Sequence, residues 1–157
     1  MDRRIFRATR AFQDSPRWQL AQDDNELATR QMLQHFACSI GLELKLKDAP
    51  ELVHLLHRAT QDATRSIDLA KERAKRQRPY WVDEGPICLK KENLGKSFDY
   101  PSGHSAVGWS WGVVLSQVLP SREAPLRARA RAIGDSRVVC GVHNASSVQA
   151  SRDAVDA

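Results

Sequence analysis

Residues 51 to about 77 carry one apolar stripe, made of Leu52, Leu55, Leu56, Ala59, Ala63, Ile67, Ala70 and Ala74. A helix of that length with a single apolar face must find partners along its whole span. Asp48-Ala49-Pro50-Glu51 opens it, with proline near the first helical position, and Arg78-Pro79 ends it, because a proline pushes the residue before it out of helical geometry. The partners are helical too. From about Gln19 to Ile40, Leu27, Met32, Leu33, Phe36 and Ile40 recur at three- and four-residue spacings, and Gly41 is a stop. Ser102 caps a buried helix holding Ala106, Val107, Trp109, Trp111, Val113, Val114 and Leu115. Leu119-Pro120-Ser121-Arg122-Glu123 breaks the chain before a basic amphipathic helix that runs to about Arg137. A short polar helix follows His143. Residues 1 to about 18 end in a turn, Ser15-Pro16-Arg17-Trp18, and residues 42–49 form a connection. Residues 79–101, with Pro79, Gly85, Pro86, Gly95 and Pro101, read as an irregular loop. No segment alternates as a strand does, so the expected fold class is all-α.

At 157 residues the chain suits one domain with a single core, 1–157. It holds no run of about 18 apolar residues, so a membrane span is not expected. Its start, Met1 to Arg7, has basic residues but no apolar run, and is not a secretory signal as it stands. A net charge of +5 favours acidic partners without choosing among phosphate compounds, nucleic acid and anionic surfaces. The three cysteines, Cys38, Cys88 and Cys140, lack the spacing of a zinc site, and spacing alone does not pair them.

Three clusters of cations and imidazoles stand beside expected helix ends. Lys71 and Arg78 are seven residues apart, almost two helical turns, and so share a face if the helix continues. Their stretch also holds Arg73, Lys75 and Arg76, and taken alone it reads as a solvated basic face or a nucleic-acid stripe, although no aromatic residue interleaves the charges. Tyr100-Pro101-Ser102-Gly103-His104 starts a helix whose free N–H groups suit an anion. Arg137 and His143 lie six residues apart, and they converge only if the backbone breaks between them, for which Gly141 offers the place.

Taken together, Lys71-x6-Arg78-Pro79, Pro101-Ser102-Gly103-His104 and Ser136-Arg137-x5-His143 resemble the tripartite signature of the type-2 phosphatidic acid phosphatase superfamily. Within it, the soluble bacterial class A non-specific acid phosphatases are the best fit. The resemblance implies a helical bundle of the acid phosphatase/vanadium-dependent haloperoxidase type, here stopping short of the family's C-terminal helix or helices. It implies metal-independent hydrolysis of phosphate monoesters of broad specificity through a phosphohistidine. His143 is then the nucleophile, and His104 the acid for the leaving group and the base for water. Lys71, Arg78, Ser102, the Gly103 N–H and Arg137 hold the phosphate. The same resemblance implies no cofactor, inhibition by vanadate or inorganic phosphate, no nucleic-acid or membrane partner, and a homodimer. It also pairs Cys88 with Cys140 and leaves Cys38 as a buried thiol, an arrangement that fits a periplasmic or secreted protein whose signal peptide is absent from this chain.

The sequence departs from the signature at one telling place. The motif has an aspartate four residues after the nucleophilic histidine, and this chain has Ser147. A carboxylate there fixes the imidazole tautomer and stabilises its positive charge, and a serine supplies no charge, so reduced turnover is expected. Asp153, ten residues from His143, lies off its face. The alternative is a catalytically degenerate phosphate-binding protein. A vanadium-dependent haloperoxidase, with His143 ligating vanadium, ranks below it. The remaining histidines, His35, His54 and His57, and the tryptophans Trp109 and Trp111 read as packing or surface residues.

Overall fold

Four of the seven prolines stand at the start of a helical segment, where a missing N–H leaves no bond unmade, so the element starts are set locally. The structure is a computed structural model describing residues 1–95 and 97–157, the side chain of Asn93 excepted. All the described regular elements are helical: α1 (Asp2–Thr9), α2 (Pro16–Asp23), α3 (Thr29–Ile40), α4 (Pro50–Ala74), a single turn α5 (Pro79–Val82), α6 (Gly103–Val118), α7 (Glu123–Val139) and α8 (Ala145–Asp156). Short 3-10 turns at Arg10–Phe12, Lys91–Leu94 and Pro120–Arg122 join them. No described helix is long and apolar enough to cross a membrane.

Several sequence expectations need correction. The helix expected from Gln19 to Ile40 is two, because α2 stops at Asp23 and α3 starts at Thr29. The turn at Ser15 is a helix start: the Ser15 hydroxyl accepts from the Trp18 N–H at 3.3 Å. Residues 2–9 are helical because Phe6 has a core to enter. The long helix ends at Ala74, three residues short of the expected limit, with Lys75 left-handed at φ +46°. Leu55, placed on its apolar stripe, is exposed, and Cys38, expected to be buried, is exposed as well.

Helix α6 is the axis of the bundle. It is apolar around most of its circumference and is covered by α4, α7 and α8. Its contact with α7 is close because two small residues allow it. A Cβ on Gly108 would lie 2.8 Å from Ile133 Cγ2, and one on Gly112 would collide with the Ala130 methyl. Met32, Phe36, Leu56, Ile67, Trp111, Leu115, Leu126 and Ile133 fill the core between α3, α4, α6 and α7. Both tryptophans are packing residues, as expected: the Trp111 ring N–H donates to Thr60 Oγ1 and that of Trp109 to Asp156 Oδ1, each at 2.8 Å.

A second cluster, Trp18, Ala21, Tyr80, Val139 and Val142, surrounds the Cys88–Cys140 disulfide. That bridge matches the pairing expected from the resemblance. It anchors the loop before α6 to the end of α7, and the Cys88 N–H adds a bond to the Cys140 carbonyl at 3.0 Å.

Candidate active site

The buried positions of α4 run Leu56, Ala63, Ile67, Lys71, so the stripe that holds the helix on the core ends in an ammonium group. Lys71 Nζ donates to Ser97 Oγ at 2.9 Å. Arg78 reaches the same strand of chain, its Nε donating to the Ser97 carbonyl at 2.9 Å. The two cations do not share a helical face. Arg78 lies beyond the end of α4 in extended backbone (φ −69°, ψ 151°), and the turn at Lys75 brings it round.

Helix α7 delivers Arg137 on its last turn, and the chain then reverses. Gly141 adopts φ +78°, and a Cβ there would strike the Arg10 guanidinium, which caps α7 by donating to the carbonyls of Val138 and Val139. The break expected at Gly141 is therefore present, and it turns His143 back beside Arg137, with the Val142 and His143 N–H groups donating to the Arg137 carbonyl.

Arg78, Arg137, His104 and His143 line one cavity of about 240 Å³, closed by Asn25, Leu89 and Leu94. Arg78 Nη1 lies 2.9 Å from the Val142 carbonyl and 3.2 Å from His143 Nε2. His143 Nδ1 lies 2.6 Å from the Asp99 carbonyl oxygen and 3.1 Å from its Oδ1. Both Nδ1 partners only accept, so Nδ1 carries the proton and Nε2 presents its lone pair towards Arg78. Arg137 is almost fully buried, yet its Nε and Nη1 find no hydrogen-bond partner among the described residues. Buried guanidinium N–H groups without a partner among the described residues, beside an imidazole nitrogen that carries no proton, suit an anion.

His104 Nε2 donates to the Asn25 carbonyl at 3.1 Å, which leaves Nδ1 of the neutral ring to take up a second proton. Ser102 is fully buried and its hydroxyl caps α6, accepting from the Ser105 N–H at 3.4 Å and the Ser105 hydroxyl at 2.9 Å. Its own N–H donates to Ser151 Oγ at 2.8 Å. Ser102 thus builds the helix start. Nothing in the packing requires Gly103, where a Cβ would meet only Ile67 Cγ2 at 3.9 Å.

Electrostatically the site is a concentration of positive charge away from water. Burial, then Arg78 and Arg137, pushes the Lys71 ammonium down to about 8. Burial and Arg78 push Arg137 down to about 9, and burial lowers Arg78. Burial, Arg137 and His143 hold His104 well below the ordinary histidine range. Burial takes His143 to about 3, against the opposing pull of its bond to Asp99. The negative charge of an anion entering among these groups opposes each of these shifts.

Three residues that the sequence reading missed complete the site. Asn25 was hidden because it lies in the break between α2 and α3. Asp99 is fully buried and accepts four hydrogen bonds. Oδ1 takes His143 Nδ1 and the Asn144 N–H (3.0 Å), and Oδ2 takes Arg76 Nε (2.7 Å) and Asn144 Nδ2 (2.8 Å). Burial acts to raise the Asp99 carboxyl, but the bonds from His143 and Asn144 outweigh it and keep the group ionised, well below the usual carboxylate range. Arg76, noted only as one of a basic run, also donates to the Ser147 hydroxyl and lies over the Tyr100 ring at 4.8 Å. Ser147 is buried and bonded to Arg76 rather than to His143, and Asp153 is engaged with Gln149.

Residues 54–153 match the PAP2 superfamily. The chain is 38% identical over 151 residues to a Zymomonas mobilis protein named acid phosphatase, with 95% of this chain and 57% of that protein covered. It is 35% identical over 157 residues to a non-specific acid phosphatase of Providencia stuartii, covering 96% of this chain and 62% of the relative. For a non-specific acid phosphatase of Salmonella typhimurium the identity is 34% over 145 residues, with 90% and 58% covered. The chain thus spans about three fifths of the length of these relatives.

Proposed function

The chain belongs to the PAP2 superfamily, and from that premise we propose that it is a metal-independent acid phosphatase that hydrolyses phosphate monoesters through a phosphohistidine at His143. The names of its relatives support the reaction class. The observation that carries the reading is the buried Arg137 guanidinium with two nitrogens unpartnered among the described residues, in one cavity with Arg78, His104 and His143, whose unprotonated Nε2 faces Arg78.

The phosphoryl group of the substrate sits between Arg137 and Arg78, with Lys71 adding charge from the end of α4. His143 Nε2 attacks phosphorus and the P–O bond to the leaving group breaks, while the guanidinium groups stabilise the charge on the equatorial oxygens. The departing alkoxide takes a proton from His104. His104 then accepts a proton from water, whose oxygen attacks phosphorus as the P–N bond breaks, releasing inorganic phosphate and restoring both imidazoles. With recognition placed on the phosphoryl group, which all phosphate monoesters share, specificity is broad. Because surrounding cations and burial hold His104 below its ordinary range, the acid form needed for the first step is favoured at low pH, and activity falls as pH rises.

Hydrolysis of a chromogenic phosphate monoester between about pH 4 and about pH 8, with EDTA present, tests this. The expected result is EDTA-insensitive turnover on the acid side, inhibited by vanadate and inorganic phosphate and abolished by His143→Ala. Turnover no greater than that of His143→Ala overturns it.

A further inference from the structure

We propose that Asp99 is the positioning carboxylate of the nucleophile, holding His143 through Nδ1 and stabilising the positive charge its imidazole acquires when Nε2 is phosphorylated; this rests on the phosphatase reading above. The position from which a carboxylate was expected, 147, holds a serine whose hydroxyl accepts from Arg76. The negative charge comes instead from the segment leading into α6, 44 residues before His143 in sequence.

The surroundings of Asp99 suit that task. The carboxylate is fully buried next to an imidazole that is itself only 2% exposed, so the charges interact with little screening by water. Its second oxygen is clamped by Arg76 Nε and Asn144 Nδ2, and Asn144 also gives its N–H to the first. The Asp99 N–H donates to the Arg76 carbonyl at 2.8 Å, fixing the backbone as well. Arg76 in turn is held by the Ser147 hydroxyl, so the serine supports the arginine that supports the carboxylate. The Asp99 carbonyl already fixes the Nδ1 proton. The distinct contribution of the side chain is therefore charge, felt when the imidazole becomes cationic.

Asp99→Asn keeps the shape and removes that charge. Turnover should fall by about 100-fold or more, with KM changed only a few-fold, by analogy with the loss on replacing a triad aspartate by its amide. A readout independent of turnover is the affinity for vanadate, which bonds to the imidazole nitrogen, compared with inorganic phosphate, which does not. In Asp99→Asn, vanadate should weaken by about tenfold or more relative to phosphate. Asp99→Asn turnover within threefold of the native protein, while His143→Ala is inactive, overturns the assignment. So does parallel weakening of vanadate and phosphate, the mark of a purely structural residue. If the native protein has no turnover, or His143→Ala retains it, the phosphatase reading fails and takes the assignment of Asp99 with it.

Discussion

Arg137 sits where a protein selected only for stability would place an apolar side chain, fully enclosed beside a second guanidinium and with two nitrogens unbonded among the described residues. Replacing it with methionine should stabilise the fold by about 1–3 kcal/mol while abolishing phosphate binding. Denaturant unfolding with and without phosphate reads both effects. The native protein should gain about 2.7 kcal/mol at 100 times the phosphate dissociation constant and Arg137→Met nothing. Lys71 gives a pH-dependent counterpart. Its ammonium is pushed down to about 8 in the free protein, so binding an anion above that pH requires taking up a proton. Phosphate affinity should therefore weaken as pH rises through about 8, and Lys71→Met should lose that limb when binding is followed by calorimetry. Both residues were singled out by the sequence motifs. Asp99 was not, because one aspartate before a tyrosine and a proline carries no local signal and gains meaning only when the end of α7 folds back upon it.

At the scale of elements, the site depends on how closely α6 and α7 approach. Gly112→Ala drives a methyl into Ala130, which should cost about 1–3 kcal/mol of stability in chemical denaturation and disturb the relation of His104 to Arg137. The existence of α4, α6 and α7 was legible from periodicity because each has a long buried stripe. The breaks were less so. Asp23 to Thr29 shows no glycine or proline, and the chain leaves the helix there so that Asp24 can enter the interior, where it accepts from Arg129, and the Asn25 carbonyl can meet His104. Lys71 and Arg78 were expected on one helical face, and they converge by a left-handed turn at a non-glycine residue, Lys75, that periodicity does not anticipate.

For the whole molecule, burying two histidines in a cationic pocket has a consequence for acid stability. His143 is depressed from its ordinary 6.5 to about 3, so the unfolded chain binds the proton first as pH falls. Stability is present above about 6.5 and is lost progressively as pH drops towards about 3. Unfolding midpoints at neutral and acid pH should show this loss, and His143→Asn should show less of it. Added phosphate should protect, since it favours the protonated site. The all-α class and most of the candidate site could be read from the sequence, because three motifs with fixed order constrain topology and chemistry together. The wiring behind His143 could not, since it joins residues 76, 99, 143 and 147 through contacts that no spacing encodes. The most direct test of the account is to mix the protein with a phosphate monoester, quench in alkali, where phosphohistidine survives, and map the modified peptide by mass spectrometry. The account predicts a phosphoryl group on the peptide containing His143, alkali-stable and acid-labile, and missing in His143→Ala. Turnover with no phosphorylated His143 peptide, or with the phosphoryl group on another residue, would contradict it.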